Sequence, residues 1–148
     1  MLNGLLSEDV AVVGVIDPDA NAAGELLTAW IPIAKYGQLM AVIMAGDLGV
    51  SATIDAKLRQ AKDASGTGVK DITGKAITQL TQAGTDRSNK QAILNVRAEE
   101  LDRNNGFTHV ALSMTTATAT SDSAAIVVGT RSRFSPVEQS ASVIQTVA

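Results

Sequence analysis

Residues 90–114, KQAILNVRAEELDRNNGFTHVALSM, alternate apolar and polar side chains with a period of two, and that period commits the segment to β-structure. Ala92, Leu94, Val96 and Ala98 fall on one parity, with Asn95, Arg97 and Glu99 between them. Leu101 closes the run. Residues 102–106 (DRNNG) follow and end in Asn-Gly, where positive φ is easiest. Beyond them Thr108, Val110, Leu112 and Met114 share one parity, and Phe107, His109 and Ala111 the other. The pattern predicts two strands joined by an antiparallel connection, with a short helical turn over 97–101 as the alternative.

The rest of the chain supplies more pieces of this kind. Residues 10–16 (VAVVGVI) read as a first strand and 17–24 (DPDANAAG) as a loop. Residues 28–33 (TAWIPI) form a short strand whose Pro32 argues for a sheet edge, since proline cannot donate to a ladder. Residues 38–44 (QLMAVIM) read as a central strand. Val50, Ala52, Ile54, Ala56 and Leu58 then alternate with polar residues in a long strand, which ends in a Gly-rich tip at 64–68. Residues 69–81 are a Thr-rich strand in which Gly74 marks a bulge. Residues 82–89 are a polar loop, 115–123 either a strand end or an exposed tip, and 124–130 (AAIVVGT) a last strand. About seven or eight short strands separated by turns predict an all-β chain. The expected fold is a single-domain antiparallel β-sandwich of jelly-roll-like type over 1–148, with interaction segments at 1–9 and 131–148. Val42, Ile54, Leu94, Val96, Val110, Leu112 and Ile126 are its expected core.

Composition narrows the function classes. With 148 residues, 45% hydrophobic and 18% charged, the chain is long enough and apolar enough to bury a core. Aromatics make up only 3%, so that core must be built from Ala, Val, Ile and Leu. A net charge of −3 leaves no basic footprint for direct nucleic-acid binding. The absence of cysteine excludes disulfides and thiolate metal sites. The opening MLNGLL lacks a positive n-region and is broken by Ser7-Glu8-Asp9, so no targeting segment is expected. No apolar run reaches the ~20 residues of a membrane helix, and no membrane partner is expected.

Candidate chemical motifs fail one by one. Asp17-Pro18-Asp19-Ala20-Asn21 opens like a calcium loop, but Ala22 and Thr28 stand where glycine and glutamate are required. GVKDITGK at 68–75 is one residue too long for a phosphate loop and is followed by Ala76 instead of a magnesium-binding hydroxyl. His109, the single histidine, has no nucleophile elbow or second histidine to work with. Glu99, Glu100 and Asp102 beside Arg97 and Arg103 read as charges of a surface turn, although paired carboxylates also serve glycosidases. Trp30 and Tyr36 read as a core anchor and an edge cover, with a sugar-stacking pair as the alternative. No enzyme activity, metal or cofactor is expected.

Apolar residues left over at both ends point to docking. Leu2, Leu5 and Leu6 precede the first strand, and Val143, Ile144 and Val147 follow Pro136. Arg131, Arg133 and Phe134 form the one local basic spot, whose expected contact is a protein. These nine residues are the candidate interface.

WIPI at 30–33, LMAVI at 39–43, TIDAKLRQAKD at 53–63 with SGTG at 65–68, NVRAEELD at 95–102 and NGF at 105–107 together resemble small virion structural proteins of tailed double-stranded DNA bacteriophages. The resemblance covers roughly residues 28–130 and is one of pattern, so it transfers no functional residues. It implies a capsid decoration (cement) protein that binds and stabilises the major capsid protein shell. Such a protein is a homo-oligomer, with a trimer favoured, assembled in the host cytoplasm and carried in the virion. A head–tail connector, tail-tube or other minor virion subunit is the alternative, and a carbohydrate-binding β-sandwich module lies further off.

Overall fold

A computed structural model describes residues 4–133 and 136–147. Among the described residues ten strands form two antiparallel sheets that close as a sandwich: β1 (Ala11–Asn21), β2 (Gly24–Leu27), β3 (Ile31–Pro32), β4 (Gln38–Ala45), β5 (Thr53–Ala61), β6 (Lys70–Ala76), β7 (Leu80–Thr81), β8 (Gln91–Arg97), β9 (His109–Ala117) and β10 (Ser121–Thr130). One sheet has the order β1-β10-β4-β8. The other has the order β2-β9-β5-β6, with β3 also on β9 and β7 also on β5. β1 lies over β2 and β8 over β6, so the two sheets share their sides. The all-β sandwich expected from the alternation is therefore the fold.

Between the sheets, one parity of each long strand supplies the core. Leu39, Ala41 and Ile43 of β4, Ile54, Ala56 and Leu58 of β5, Leu94 and Val96 of β8, Val110, Leu112 and Met114 of β9, and Ala125 and Val127 of β10 are all buried. Small residues among them let two sheets pack face to face without large rings between.

Several expectations are corrected. β8 and β9 are not a hairpin: β8 pairs with β4 and β9 with β5, in opposite sheets. The linker crosses the side of the sandwich in two 3-10 turns, Ala98–Glu100, which is the helical alternative, and Arg103–Asn105, which was not expected. Buried Leu101 and Phe107 anchor it, with Lys70 Nζ 4.3 Å from the Phe107 ring centroid. Asn-Gly here ends a 3-10 turn, with Gly106 at φ 83°. Alternation reports which side of a strand is wet; it does not name the partner strand.

The loop expected at 17–24 is largely strand. β1 continues to Asn21 through a register shift between Ile16 and Asp19, and Pro18 sits within that bulge on an edge strand, where a missing N–H breaks no ladder. Of the strand expected at 28–33 only β3, Ile31–Pro32, is formed, with Pro32 on the sheet edge as its chemistry requires; Ile33 opens a 3-10 turn, and β2 lies ahead of the expected range at Gly24–Leu27. β5 begins at Thr53, because Ser51 takes φ 58° and Val50 is exposed. Gly74, at φ 75°, lies in the stretch of β6 that bulges against β5. Finally, Val42 is only half-buried and Ile126 is 37% exposed, whereas Ile43 and Val127 fill the core. β4 and β10 are apolar on both parities, so period two gives no phase there.

Candidate functional site

The corrected phase exposes the most informative surface of the molecule. Val15, Ile126, Val42 and Ile93 are direct partners in register, one from each strand of the four-stranded sheet. They form a row across its outer face. Val12, Val128 and Met40 line up on one side of this row, and Ala124 and Met44 on the other. Ile93 is 57% and Met44 47% exposed. Charge appears only at the margins, with Arg97 at one corner and Asp17, Asp19 and Asp122 toward the opposite one.

The outer face of the six-stranded sheet is built in the opposite way. Asp71 bridges Lys57 at 2.9 Å and Arg59 at 2.9 Å, and Arg59 Nη1 reaches Glu25 at 3.6 Å. Ser113 Oγ donates to Glu25 Oε1 at 2.8 Å. On the neighbouring linker, Lys75 pairs with Glu100 at 2.8 Å and Lys70 with Asp102. The Lys57 hydrogen bond holds the Asp71 carboxyl below its ordinary value, and the Lys75 hydrogen bond does the same for Glu100. One face of the sandwich is thus dressed for water and the other is not.

The termini extend the apolar face at the β1 edge. Leu6–Asp9 makes one helical turn, α1, whose start is held by the Leu5 N–H donating to Glu8 Oε2 at 2.9 Å. The tail returns alongside. Val137 N–H donates to the Glu8 carbonyl at 3.0 Å and Ser140 N–H to the Val12 carbonyl at 2.8 Å. Gln139 clamps the two segments: its Oε1 accepts from Val12 N–H at 2.7 Å, and its Nε2 donates to the carbonyls of Ser7 and Val10 at 3.0 and 2.8 Å. Together they shape an apolar groove of about 370 Å³ lined by Leu6, Val10, Val12 and Val143.

The structure therefore brings Leu6 and Val143 together, with Leu5 adjacent to Leu6 in the chain. Leu6 is 76% and Ile144 96% exposed, and Val147 is exposed as well. Arg131 and Arg133 lie past the end of β10, where the Arg131 carbonyl accepts from Gly37 N–H and Arg133 N–H donates to the Lys35 carbonyl. Leu2 and Phe134 lie outside the described residues. Val137 is buried in the core, so the 131–148 segment is partly structural. Sequence reasoning missed Val15, Met40, Met44 and Ile93, and placed Val42 and Ile126 inside. The available signal was the unbroken apolar run in β1, β4 and β10, the signature of strands covered on both faces.

Other candidates carry less. Among the described residues no group of three metal-ligating side chains assembles. His109 Nδ1 is 2.8 Å from Thr108 Oγ1, a local contact. Trp30 lies against Gly66, and Tyr36 is buried against Gly129, each so close that a methyl group on the glycine would collide with the ring. Both line one shallow pocket of about 270 Å³ with Pro32, Lys35 and Glu138, in which Trp30 is half-buried and Tyr36 buried, so Tyr36 is the core anchor and Trp30 the edge cover, the reverse of the expected assignment.

No protein-family model matches the chain. No curated protein matches it either. Among solved structures, a chain in the cryo-EM structure of broad bean stain virus aligns with a TM-score of 0.50 at 12% identity, covering 93% of this chain and 94% of that one. A chain of the naturally occurring empty particles of cowpea mosaic virus aligns at a TM-score of 0.43 and 10% identity, over 88% and 87% of the two chains. One from Bacillus endospore appendages aligns at 0.41 and 15%, over 88% and 94%. At such identities the first likeness establishes the fold alone: a two-sheet β-sandwich of the kind found in a virus particle.

Proposed function

We propose that this chain is a structural subunit of a virion, most specifically a capsid decoration protein of a tailed bacteriophage. It docks on the shell through the outer face of the four-stranded sheet and the terminal groove. Its role is structural and not catalytic. The observation that carries this reading is the contrast between the two outer faces: ion-paired on one sheet, apolar and free of central charge on the other. Burying one Ile or Met side chain against a neighbour contributes roughly 1.5–3 kcal/mol, so a row of four with its flanks is ample for a subunit held in many copies. The likeness to a chain of a virus particle supports the same class of role.

The test is incorporation. Ile126 and Ile93 point away from the core, so Ile126→Lys and Ile93→Lys should leave the β-sheet spectrum and melting temperature nearly unchanged while removing the protein from purified particles. Full occupancy by both variants would overturn the docking face. A connector or tail-tube subunit, the alternative within the same class, would be found at few copies near one vertex or along the tail, where immunogold labelling distinguishes it from a shell protein.

A further inference from the structure

The four-stranded sheet has two edges, and the chain treats them differently. On β1 the tail occupies the outer side of Val12, and the bulge containing Pro18 interrupts the remainder. β8 has neither device. The bonds from Ala45 N–H to the Lys90 carbonyl and from Ala98 N–H to the Gly37 carbonyl fix the phase of the β4–β8 ladder. Even-numbered residues of β8 bond to β4, so Gln91, Ile93, Asn95 and Arg97 turn their main-chain groups outward. Arg97 N–H is taken by Glu100 Oε2 at 2.8 Å. Among the described residues no hydrogen bond reaches the main-chain groups of Ile93 or Asn95.

We propose that this edge pairs with the same edge of a second copy, antiparallel across a twofold axis, joining the two four-stranded sheets into one. Only a register centred on Leu94 matches every outward-facing residue with another. Ile93 then faces Asn95 of the second copy, and Gln91 faces Arg97. The Gln91, Ile93 and Asn95 N–H groups donate across the axis to the carbonyls of Arg97, Asn95 and Ile93. The occupant is a second copy because the edge complements itself in charge. Lys90 is exposed and has no acidic partner among the described residues, and the one cation near Glu99 is Arg97, at 3.8 Å with both side chains largely exposed. In this register the Lys90 end of each strand meets the Glu99 end of the other, twice by symmetry. The inference rests on β8 alone and is independent of which face docks on a shell.

Sedimentation velocity of the purified chain from micromolar to submillimolar concentration tests it. A dimer of the 15.3 kDa subunit is expected. Asn95→Pro deletes an outward N–H without touching the β4 ladder, and should give a monomer with an unchanged β-spectrum. Lys90→Glu and Glu99→Lys should each weaken dimerisation about tenfold, and the double exchange should restore it. Should Asn95→Pro unfold the chain, this charge series decides alone. A monomer at every concentration, or a dimer or trimer indifferent to the charge variants, would overturn the proposal.

Discussion

Gln139 accepts from the main chain of Val12 and donates to the carbonyls of Ser7 and Val10, so one side chain joins both ends of the chain to the first strand. Removing it leaves a part-buried N–H and two carbonyls to find water, and also frees the tail segment that shields the β1 edge. Gln139→Ala is therefore expected to destabilise the fold by about 1–3 kcal/mol, read as a lower urea midpoint. It should also speed proteolytic cleavage within 137–147. An unchanged midpoint would mean that the tail lies on β1 without holding it. Nothing in the sequence marks Gln139: it is one polar residue between two others, Glu138 and Ser140, and its role depends on partners about 130 positions away.

Among the strands, the parity of side chains separates what is core from what is surface, and two substitutions of similar size measure that separation. Leu112 is fully buried between the sheets, so Leu112→Ala is expected to cost roughly 2–5 kcal/mol. Ile126 faces outward at 37% exposure, so Ile126→Ala should cost under about 1 kcal/mol in the isolated chain. Chemical denaturation of both variants checks the phase; equal losses would place Ile126 in the core. The same comparison shows how far the sequence was legible. β5, β8 and β9 could be phased because each carries polar or small residues on one parity: Asp55, Lys57 and Arg59; Asn95 and Arg97; Ser113 and Thr115. β4 and β10 could not, since Met40, Val42 and Met44 are as apolar as Leu39, Ala41 and Ile43. Pairing was not legible: the one pairing expected, β8 with β9, was local and does not form. The crossing from β8 to β9 between sheets depends on β4 and β5, contacts that no short window contains.

For the whole molecule, the two outer faces state opposite relations to water. Lys57, Arg59, Glu25 and Asp71 hold one another across the six-stranded sheet, while Val15, Ile126, Val42 and Ile93 cross the four-stranded sheet with no charge among them. In the proposed role, this apolar outward surface is the one that association covers. The terminal groove lies at the same β1 edge through Val12, so Leu6 and Val143 enlarge one surface instead of founding a second. The absence of cysteine makes the claim directly measurable, because single cysteines introduced at Ile93, at Met44 and, as a control, at Thr73 of the six-stranded sheet are the only thiols present. Maleimide labelling of each variant, free and assembled into particles, should find all three reactive in the free protein. On assembly Ile93→Cys and Met44→Cys should become protected while Thr73→Cys stays reactive. Equal labelling of Ile93→Cys and Met44→Cys in the free and assembled states would contradict the account.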